Sequence, residues 1–267
     1  MSLLAVATAK FSPGASTLAE LAVLLGPQGS ERLLVDCDPA GSEWLLRPGV
    51  RPEPSLVTLA MAGRRELAPQ AVTAHAQTVA GLDVVVGPAA GRQASSALDI
   101  LGDRLGAHLA GLGDLAVVAD CGRLAPRSPA LGVVHAADLV VLVSRCTVSE
   151  MVHLAPWVEQ LRSEARPVAV VLVDRPRRGR REIGYGPAEV AEALGVPVLG
   201  SLADDVGGAG RLFAQPGSLV GLWRTRLVRS ARPVVNAMWA AVPGSVDLGD
   251  DRTGGNSARP EEVATRP

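Results

Sequence analysis

The chain has 267 residues, of which 48% are hydrophobic, and it has a formal net charge of -1 and a sequence pI of about 6.4. This length and hydrophobic content are enough to bury the core of one large α/β domain without disulfides or metals. A charge so close to zero excludes a bulk electrostatic attraction to nucleic acid or anionic membrane, so any such binding must be local.

The apolar run at residues 3–7 is too short for a secretory signal, and no basic segment precedes it. No apolar run reaches the length of a membrane span either. Cys37, Cys121 and Cys146 are an odd number without paired metal-ligand spacing, and each lies within or just after an apolar run. We interpret them as reduced, packed thiols and expect a cytoplasmic protein without a transmembrane segment.

Short apolar, β-branched runs alternate along the chain with segments of helical periodicity. Continuous apolar runs are typical of strands buried on both faces of a parallel sheet. The predicted strands cover residues 3–7, 33–35, 84–86, 115–119, 139–143, 168–173 and 198–202, and the predicted helices cover residues 16–25, 94–109, 149–164 and 187–194. This order predicts a doubly wound, mostly parallel sheet of about seven or eight strands with helices on both faces. Ligands in such sheets bind beyond the carboxyl ends of the strands.

The first predicted strand leads into the segment Ala9-Lys10-Phe11-Ser12-Pro13-Gly14-Ala15-Ser16-Thr17 and then into a helix. A strand, a tight loop and a helix N-terminus together present backbone N–H groups and a positive dipole end to an anion. A common phosphate-binding loop reads G-x-x-x-x-G-K-[ST]. Ala9 takes its first glycine position, Gly14 and Ser16 take the last glycine and the magnesium-binding hydroxyl, and Ala15 stands where the lysine would be.

Lys10 is the only lysine among the 26 basic residues. In a chain that otherwise uses arginine, a lysine in this loop suggests that a compact ammonium is required there. The alternative is that the lysine occurs at position 10 by chance.

Acidic residues follow two further predicted strands. Asp36 and Asp38 follow the second strand, and Asp120 and Gly122 follow the fourth. Asp120 could hold magnesium through water, and Gly122 would let the backbone approach a γ-phosphate. Each acid alone is better explained as a helix cap or turn residue, but three strand-end sites in this order favour a nucleotide site.

Asp174 ends the sixth predicted strand and is followed by a basic segment that either is a solvated loop or contacts phosphate. The arginines of this segment are Arg175, Arg177, Arg178, Arg180 and Arg181. We expect one domain over residues 1–242, followed by a disordered polar tail over residues 243–267, where Gly, Asp, Arg, Pro and Glu dominate without periodicity.

The last predicted helix covers roughly residues 219–242. Trp223 and Trp239 invite a membrane-anchor interpretation, but Pro233 lies inside the helix and an acidic, Gly-rich segment follows it. We therefore favour core packing with an exposed stripe of arginines and see no clear membrane anchor. The stripe consists of Arg224, Arg226, Arg229 and Arg232.

The motifs together resemble the deviant-Walker ParA/MinD/nitrogenase-iron-protein superfamily over about the first 240 residues. They are Lys10-x-x-x-Gly14-x-Ser16-Thr17, Asp36-Cys37-Asp38-Pro39, Asp120-Cys121-Gly122 and the run over residues 136–143. The Ala-Lys-x-Ser-Pro-Gly loop, the Asp-Pro-Ala-Gly turn and the Asp-Cys-Gly-Arg-Leu segment resemble actinobacterial MinD-like proteins related to the TadZ/CpaE proteins of pilus and secretion loci. The resemblance implies ATP and Mg²⁺ as cofactors, a face-to-face homodimer around two nucleotides, and hydrolysis that cycles the protein on a surface or partner.

The resemblance also implies roles for single residues. Lys10 matches the signature lysine that crosses the dimer interface, and Ser16 matches the magnesium-coordinating hydroxyl. Thr17 matches a phosphate contact, Asp38 the acid that orients attacking water, and Asp120 the Walker B acid. Ser16, Asp38 and Asp120 are the residues expected at the metal. Asp174 lies where relatives contact the adenine. The departures are Ala15 in place of the loop lysine and Phe11-Ser12 in place of the usual Gly-Gly.

Because phosphoryl transfer depends on positioning and charge stabilisation, the loss at Ala15 should reduce hydrolysis more than binding. The first hypothesis is a weak, dimerising ATPase switch that positions a pilus, secretion or division assembly. The second is a pseudo-ATPase scaffold that does not hydrolyse nucleotide. The third is a DNA-segregation ATPase that would bind DNA through the arginine stripe.

Overall fold

The computed structural model describes residues 2–10, 14–27, 29–68, 70–113, 115–174 and 185–242. Eight strands in this part of the chain form one sheet in the order β3-β4-β2-β5-β1-β6-β7-β8. The strands are β1 (Ser2–Thr8), β2 (Arg32–Asp36), β3 (Gln77–Val79), β4 (Leu82–Val85), β5 (Ala116–Arg123), β6 (Leu139–Arg145), β7 (Val168–Asp174) and β8 (Val198–Ala203). All pairs are parallel except β3 with β4, so the predicted doubly wound α/β class is confirmed.

Helices cover both faces of this sheet. They are α1 (Ala15–Leu24), α2 (Leu56–Ala62), α3 (Ala71–Ala74), α4 (Gly91–Leu101), α5 (Asp103–Ala110), α6 (Leu131–Ala136), α7 (Val148–Ser163), α8 (Pro187–Leu194), α9 (Val206–Ala214) and α10 (Arg226–Ala240). Within the described ranges, no helix has both the length and the apolarity needed to cross a bilayer.

The core consists of two layers, one on each side of the sheet. Alternate residues of β1 point into different layers: Leu3 and Ala5 pack with the layer beneath α4 and α7, whereas Leu4 and Val6 pack against α1 and α10. Burial of the central strands on both faces explains their unbroken apolar sequence.

Three element predictions need correction. The run at 84–86 is part of β4, which forms a hairpin with the unpredicted edge strand β3 through Ala80 and Gly81, both at positive φ. The predicted helix 94–109 is divided into α4 and α5 because Gly102 adopts φ 55° and ψ -151° between them. The predicted strand 115–119 extends to Arg123, since β1 and β2 pair with it on both sides.

The C-terminal helix packs in the core. It begins later than predicted, at Arg226, where the Thr225 side chain caps it. Trp239 is buried, and its Nε1 donates a hydrogen bond to the Ala22 carbonyl oxygen of α1 at 3.0 Å. The core-packing interpretation is therefore confirmed for Trp239 but is wrong for Trp223, which is 50% exposed. The four arginines of the stripe are exposed. The predicted tail and residues 175–184 of the basic segment lie outside the described residues.

Candidate nucleotide site

The site is built around the N-terminus of α1, which follows the carboxyl end of β1. Gly14 is the N-cap and adopts a left-handed conformation with φ 106°. Because glycine has no side chain, nothing from the N-cap itself covers the first N–H groups of the helix. This end of α1 is therefore suited to bind an anion. Ala15 is buried, with 5% of its surface exposed, and the predicted loop residues Phe11, Ser12 and Pro13 lie outside the described residues.

Ser16 and Asp120 meet beside this helix end. The Ser16 hydroxyl donates a hydrogen bond to the Asp120 carboxylate, and the Gly122 N–H donates another to Asp120 Oδ1 at 3.1 Å. Asp120 is only 4% exposed, and it lies within β5 rather than beyond its end. The structure thus places together the hydroxyl and the carboxylate that the sequence predicts as magnesium-binding.

Asp36, one of the predicted strand-end acids, is buried next to Asp120. The two residues are register partners on β2 and β5, and Asp36 is 3% exposed. Asp36 accepts hydrogen bonds from the Ser42 side chain and from the N–H groups of Asp38 and Gly87. Burial raises the pKa of Asp36 to about 6. Burial and the charge of Asp36 raise the pKa of Asp120 to about 7.

Asp38 completes what we call the acid cluster, Asp36, Asp38 and Asp120. Its Oδ1 accepts a hydrogen bond from the Ala40 N–H at 2.8 Å, and burial raises its pKa. Its carboxylate lies against Gly122, where φ is +57° and a Cβ would stand 2.1 Å from Asp38 Cγ. The glycine predicted to approach a γ-phosphate therefore makes room for the Asp38 carboxylate.

A pocket of about 200 Å³ opens beside the helix end, at the carboxyl ends of β6, β7 and β8. It is lined by Gly14, Thr17, Arg145, Val173, Leu202, Ala203, Asp204, Asp205, Val206, Ala209 and Leu227. Of the predicted residues, Gly14 and Thr17 line it. Asp174 is exposed at the end of β7, and its carbonyl accepts a hydrogen bond from the Asp204 N–H at 2.9 Å.

Sequence reasoning missed Arg145, Asp204 and Asp205. Each lies at or just after the end of a strand, which was the available signal. Asp205 stabilises the wall of the pocket: its carboxylate accepts hydrogen bonds from the Gly208 N–H of α9 at 3.0 Å and the Leu227 N–H of α10 at 3.1 Å. These hydrogen bonds, chiefly the one from the Gly208 N–H, lower the pKa of Asp205.

The arrangement fits a magnesium nucleotide. The helix end suits phosphates, Ser16 and Asp120 supply oxygen ligands for Mg²⁺, and the pocket beside Thr17 has space for further parts of a nucleotide. Within the described ranges, no group of three or more His, Cys, Asp or Glu side chains has metal-binding geometry. A magnesium ion would therefore need phosphate and water oxygens to complete its coordination, as this ion ordinarily does.

Solved structures match nearly the whole chain, although no protein-family model and no curated protein matches it. A ParA family ATPase from Chlorobium tepidum TLS is 16% identical with a TM-score of 0.67, over 89% of this chain and 97% of that one. An ATP complex of a McdA variant from Cyanothece is 16% identical with a TM-score of 0.69, over 94% and 99%. The septum site-determining protein MinD from Pyrococcus horikoshii OT3, complexed with Mg-ADP, is 14% identical with a TM-score of 0.62, over 92% and 99%.

The chain has the ParA/MinD-type P-loop fold.

Lys10 is the residue that the sequence predicts to cross a dimer interface. Its Nζ lies 2.9 Å from Nε2 of His153, which is exposed on α7 of the same chain. Nearby on α7, Val148 and Val152 are exposed by 47% and 64%. The predicted interface lysine therefore lies beside a surface with exposed apolar side chains.

Proposed function

We propose that this protein is a nucleotide-dependent switch of the ParA/MinD kind that binds ATP with Mg²⁺. The observation that carries the proposal is the Ser16–Asp120 hydrogen bond at the N-terminus of α1, beside the pocket formed by three strand ends. Helix N–H groups would bind the phosphates, and Ser16 and Asp120 would hold the metal. Bound Mg²⁺ would neutralise charge on the phosphate oxygens.

Hydrolysis should be weak. Ala15 supplies no cation at the loop position that ordinarily contacts the β- and γ-phosphates, whereas the acid cluster places three carboxylates nearby. The backbone donors do not depend on the side chain at position 15, so binding is retained better than turnover. Asp38, the most accessible acid of the cluster, is the residue that would orient attacking water.

ATP should drive homodimerisation through the surface that contains Lys10 and α7. Exposed apolar residues such as Val148 and Val152 favour contact with a second protein surface, and Lys10 can exchange its contact with His153 for a partner's phosphate. Nucleotide would then shift the monomer–dimer equilibrium through its differential affinity for the two states.

The cellular role we propose is positioning of an assembly in the cytoplasm through a protein partner. The support for this role is the resemblance of the loop, the Asp-Pro-Ala-Gly turn and the Asp-Cys-Gly segment to MinD-like and TadZ/CpaE-like proteins. On that basis the cargo is a pilus or secretion assembly, with division or segregation machinery as the alternatives.

Isothermal titration with ATP and ADP, with and without Mg²⁺, tests the binding proposal. We expect saturable ATP binding that Mg²⁺ strengthens, and Ser16→Ala should reduce the Mg²⁺ effect. Ser163→Ala, at the exposed end of α7, is the matched control. Complete indifference of the wild-type protein to millimolar nucleotide would contradict the proposal.

The buried Ala15 favours a second candidate function, a pseudo-ATPase scaffold. This candidate predicts either no nucleotide or a stoichiometric, unhydrolysed nucleotide in the purified protein. The exposed arginine stripe favours DNA binding as a third candidate function. DNA binding through these arginines should weaken steeply as the salt concentration rises.

A further inference from the structure

Arg145 is the last residue of β6 and lines the pocket next to the N-terminus of α1. Among the pocket-lining residues that the structure describes, it alone carries a positive charge. Its side chain is 29% exposed, so its head group is accessible from the pocket.

The guanidinium of Arg145 is held by charge but does not use all its donors. Nη1 lies 3.6 Å from Glu150 Oε1 and Nη2 lies 3.9 Å from Asp204 Oδ2, both longer than a hydrogen bond. Within the described chain, its Nε is buried and has no hydrogen-bond partner. A guanidinium has five N–H donors, and a buried donor without a partner is unfavourable.

Glu150 fixes the position of this arginine. It is buried, and its Oε2 accepts hydrogen bonds from the Arg145 N–H at 2.7 Å and from the Ser144 hydroxyl at 3.3 Å. Glu150 lies in the first turn of α7, and its N–H donates a hydrogen bond to the side chain of the N-cap residue Thr147. The Glu150 carboxylate is therefore carried by a capped helix N-terminus. The strand end and the guanidinium are thereby held beside the pocket before any ligand binds.

We propose that Arg145 binds the phosphate oxygens of the nucleotide and supplies the cation that Ala15 does not. This inference rests on the proposed function. A planar guanidinium matches phosphate geometry with paired hydrogen bonds, which an ion pair at 3.9 Å to Asp204 cannot provide. The phosphate would therefore replace Asp204 as the partner of Nη2, while Glu150 keeps its place.

The test compares the affinities of ATP, ADP and adenosine, measured by isothermal titration of the full-length protein. Arg145→Gln should weaken ATP and ADP binding on the order of a hundredfold and leave adenosine within about threefold, because only the phosphates lose a charged partner. Arg145→Lys keeps the charge but not the paired geometry, and should weaken ATP binding about tenfold. Arg211→Gln, exposed on α9, is the matched control. The dependence of ATP affinity on ionic strength should also be weaker in Arg145→Gln.

Two results would overturn the role of Arg145 while leaving the proposed function intact. The first is unchanged ATP affinity in Arg145→Gln, and the second is an equal loss of ATP and adenosine affinity, which would indicate a base contact or a distorted pocket. If Arg145→Gln does not fold, unchanged ATP affinity in Arg145→Lys overturns the paired contact. If the wild-type protein binds none of the three ligands, the proposed function fails and this inference fails with it.

Discussion

Replacing Asp36 by asparagine should stabilise the protein in a pH-dependent way. The folded state raises the pKa of Asp36 from an ordinary value of 3.8 to about 6, chiefly through burial. The unfolded chain therefore releases the proton first as the pH rises. The stability that protonated Asp36 contributes is complete below pH 3.8 and is lost as the pH rises through about 6.

The size of the effect follows from the shift. About two pKa units at about 1.4 kcal/mol each give a cost on the order of 3 kcal/mol for ionised Asp36 above pH 7. Asparagine cannot ionise, and its amide oxygen can still accept hydrogen bonds from Ser42 and Gly87. Asp36→Asn should thus exceed the wild type in unfolding free energy by up to about 3 kcal/mol at pH 8, and by little at pH 4.

Urea denaturation at several pH values between 4 and 8 measures this difference. Asp99→Asn, exposed on α4, controls for the same substitution at the surface. The reasoning would be refuted if the wild type and Asp36→Asn lost stability in parallel over this range, because burial would then impose no cost on the Asp36 charge.

The remaining predictions concern turnover and assembly. Ala15→Lys should raise phosphate release on the order of a hundredfold by adding a cation at the loop position that contacts the β- and γ-phosphates, and Asp38→Ala in that background should abolish the gain; no gain would mean that other groups are also misplaced. Lys10→Ala, and also Lys10→Arg, should weaken ATP-dependent dimerisation in analytical ultracentrifugation with a slowly hydrolysed analogue, whereas Asp99→Asn, exposed on α4, should not. Identical oligomeric states of wild type and Lys10→Ala, with and without nucleotide, would rule out the interface role.

Much of the fold could be predicted because local sequence and tertiary environment agree. The apolar sequence is unbroken where both faces of a strand are buried, so continuous apolar runs predict the strands at residues 3–7 and 168–173. The edge strand β3 was missed because its polar Gln77 and Thr78 do not show this pattern. Helix periodicity likewise continued across Gly102, whose backbone conformation is visible only in the structure.

The parts of the candidate site that form short motifs could be predicted, because the residues within each motif are close in sequence. The loop before α1 and the strand-end acids have recognisable spacing, and the structure places Ser16 beside Asp120. Arg145 and Asp204 could not be assigned, because one ends β6 and the other follows β8, and they meet only through the order of the sheet. The burial of Asp36 also depends on its neighbours in β5 rather than on its own strand.

The cysteines next to the acid cluster give this protein a built-in probe of local opening. Cys37 and Cys121 adjoin Asp36 and Asp120 in the chain, both are fully buried, and burial raises the pKa of each thiol well above its ordinary value. A thiol reagent can therefore reach them only when the structure around the carboxyl ends of β2 and β5 opens, whereas the partly exposed Cys146 serves as an internal reference. Where reclosing is faster than alkylation, the rate at which the two buried thiols are alkylated thus reports the fraction of time for which the site is open in the unmutated chain.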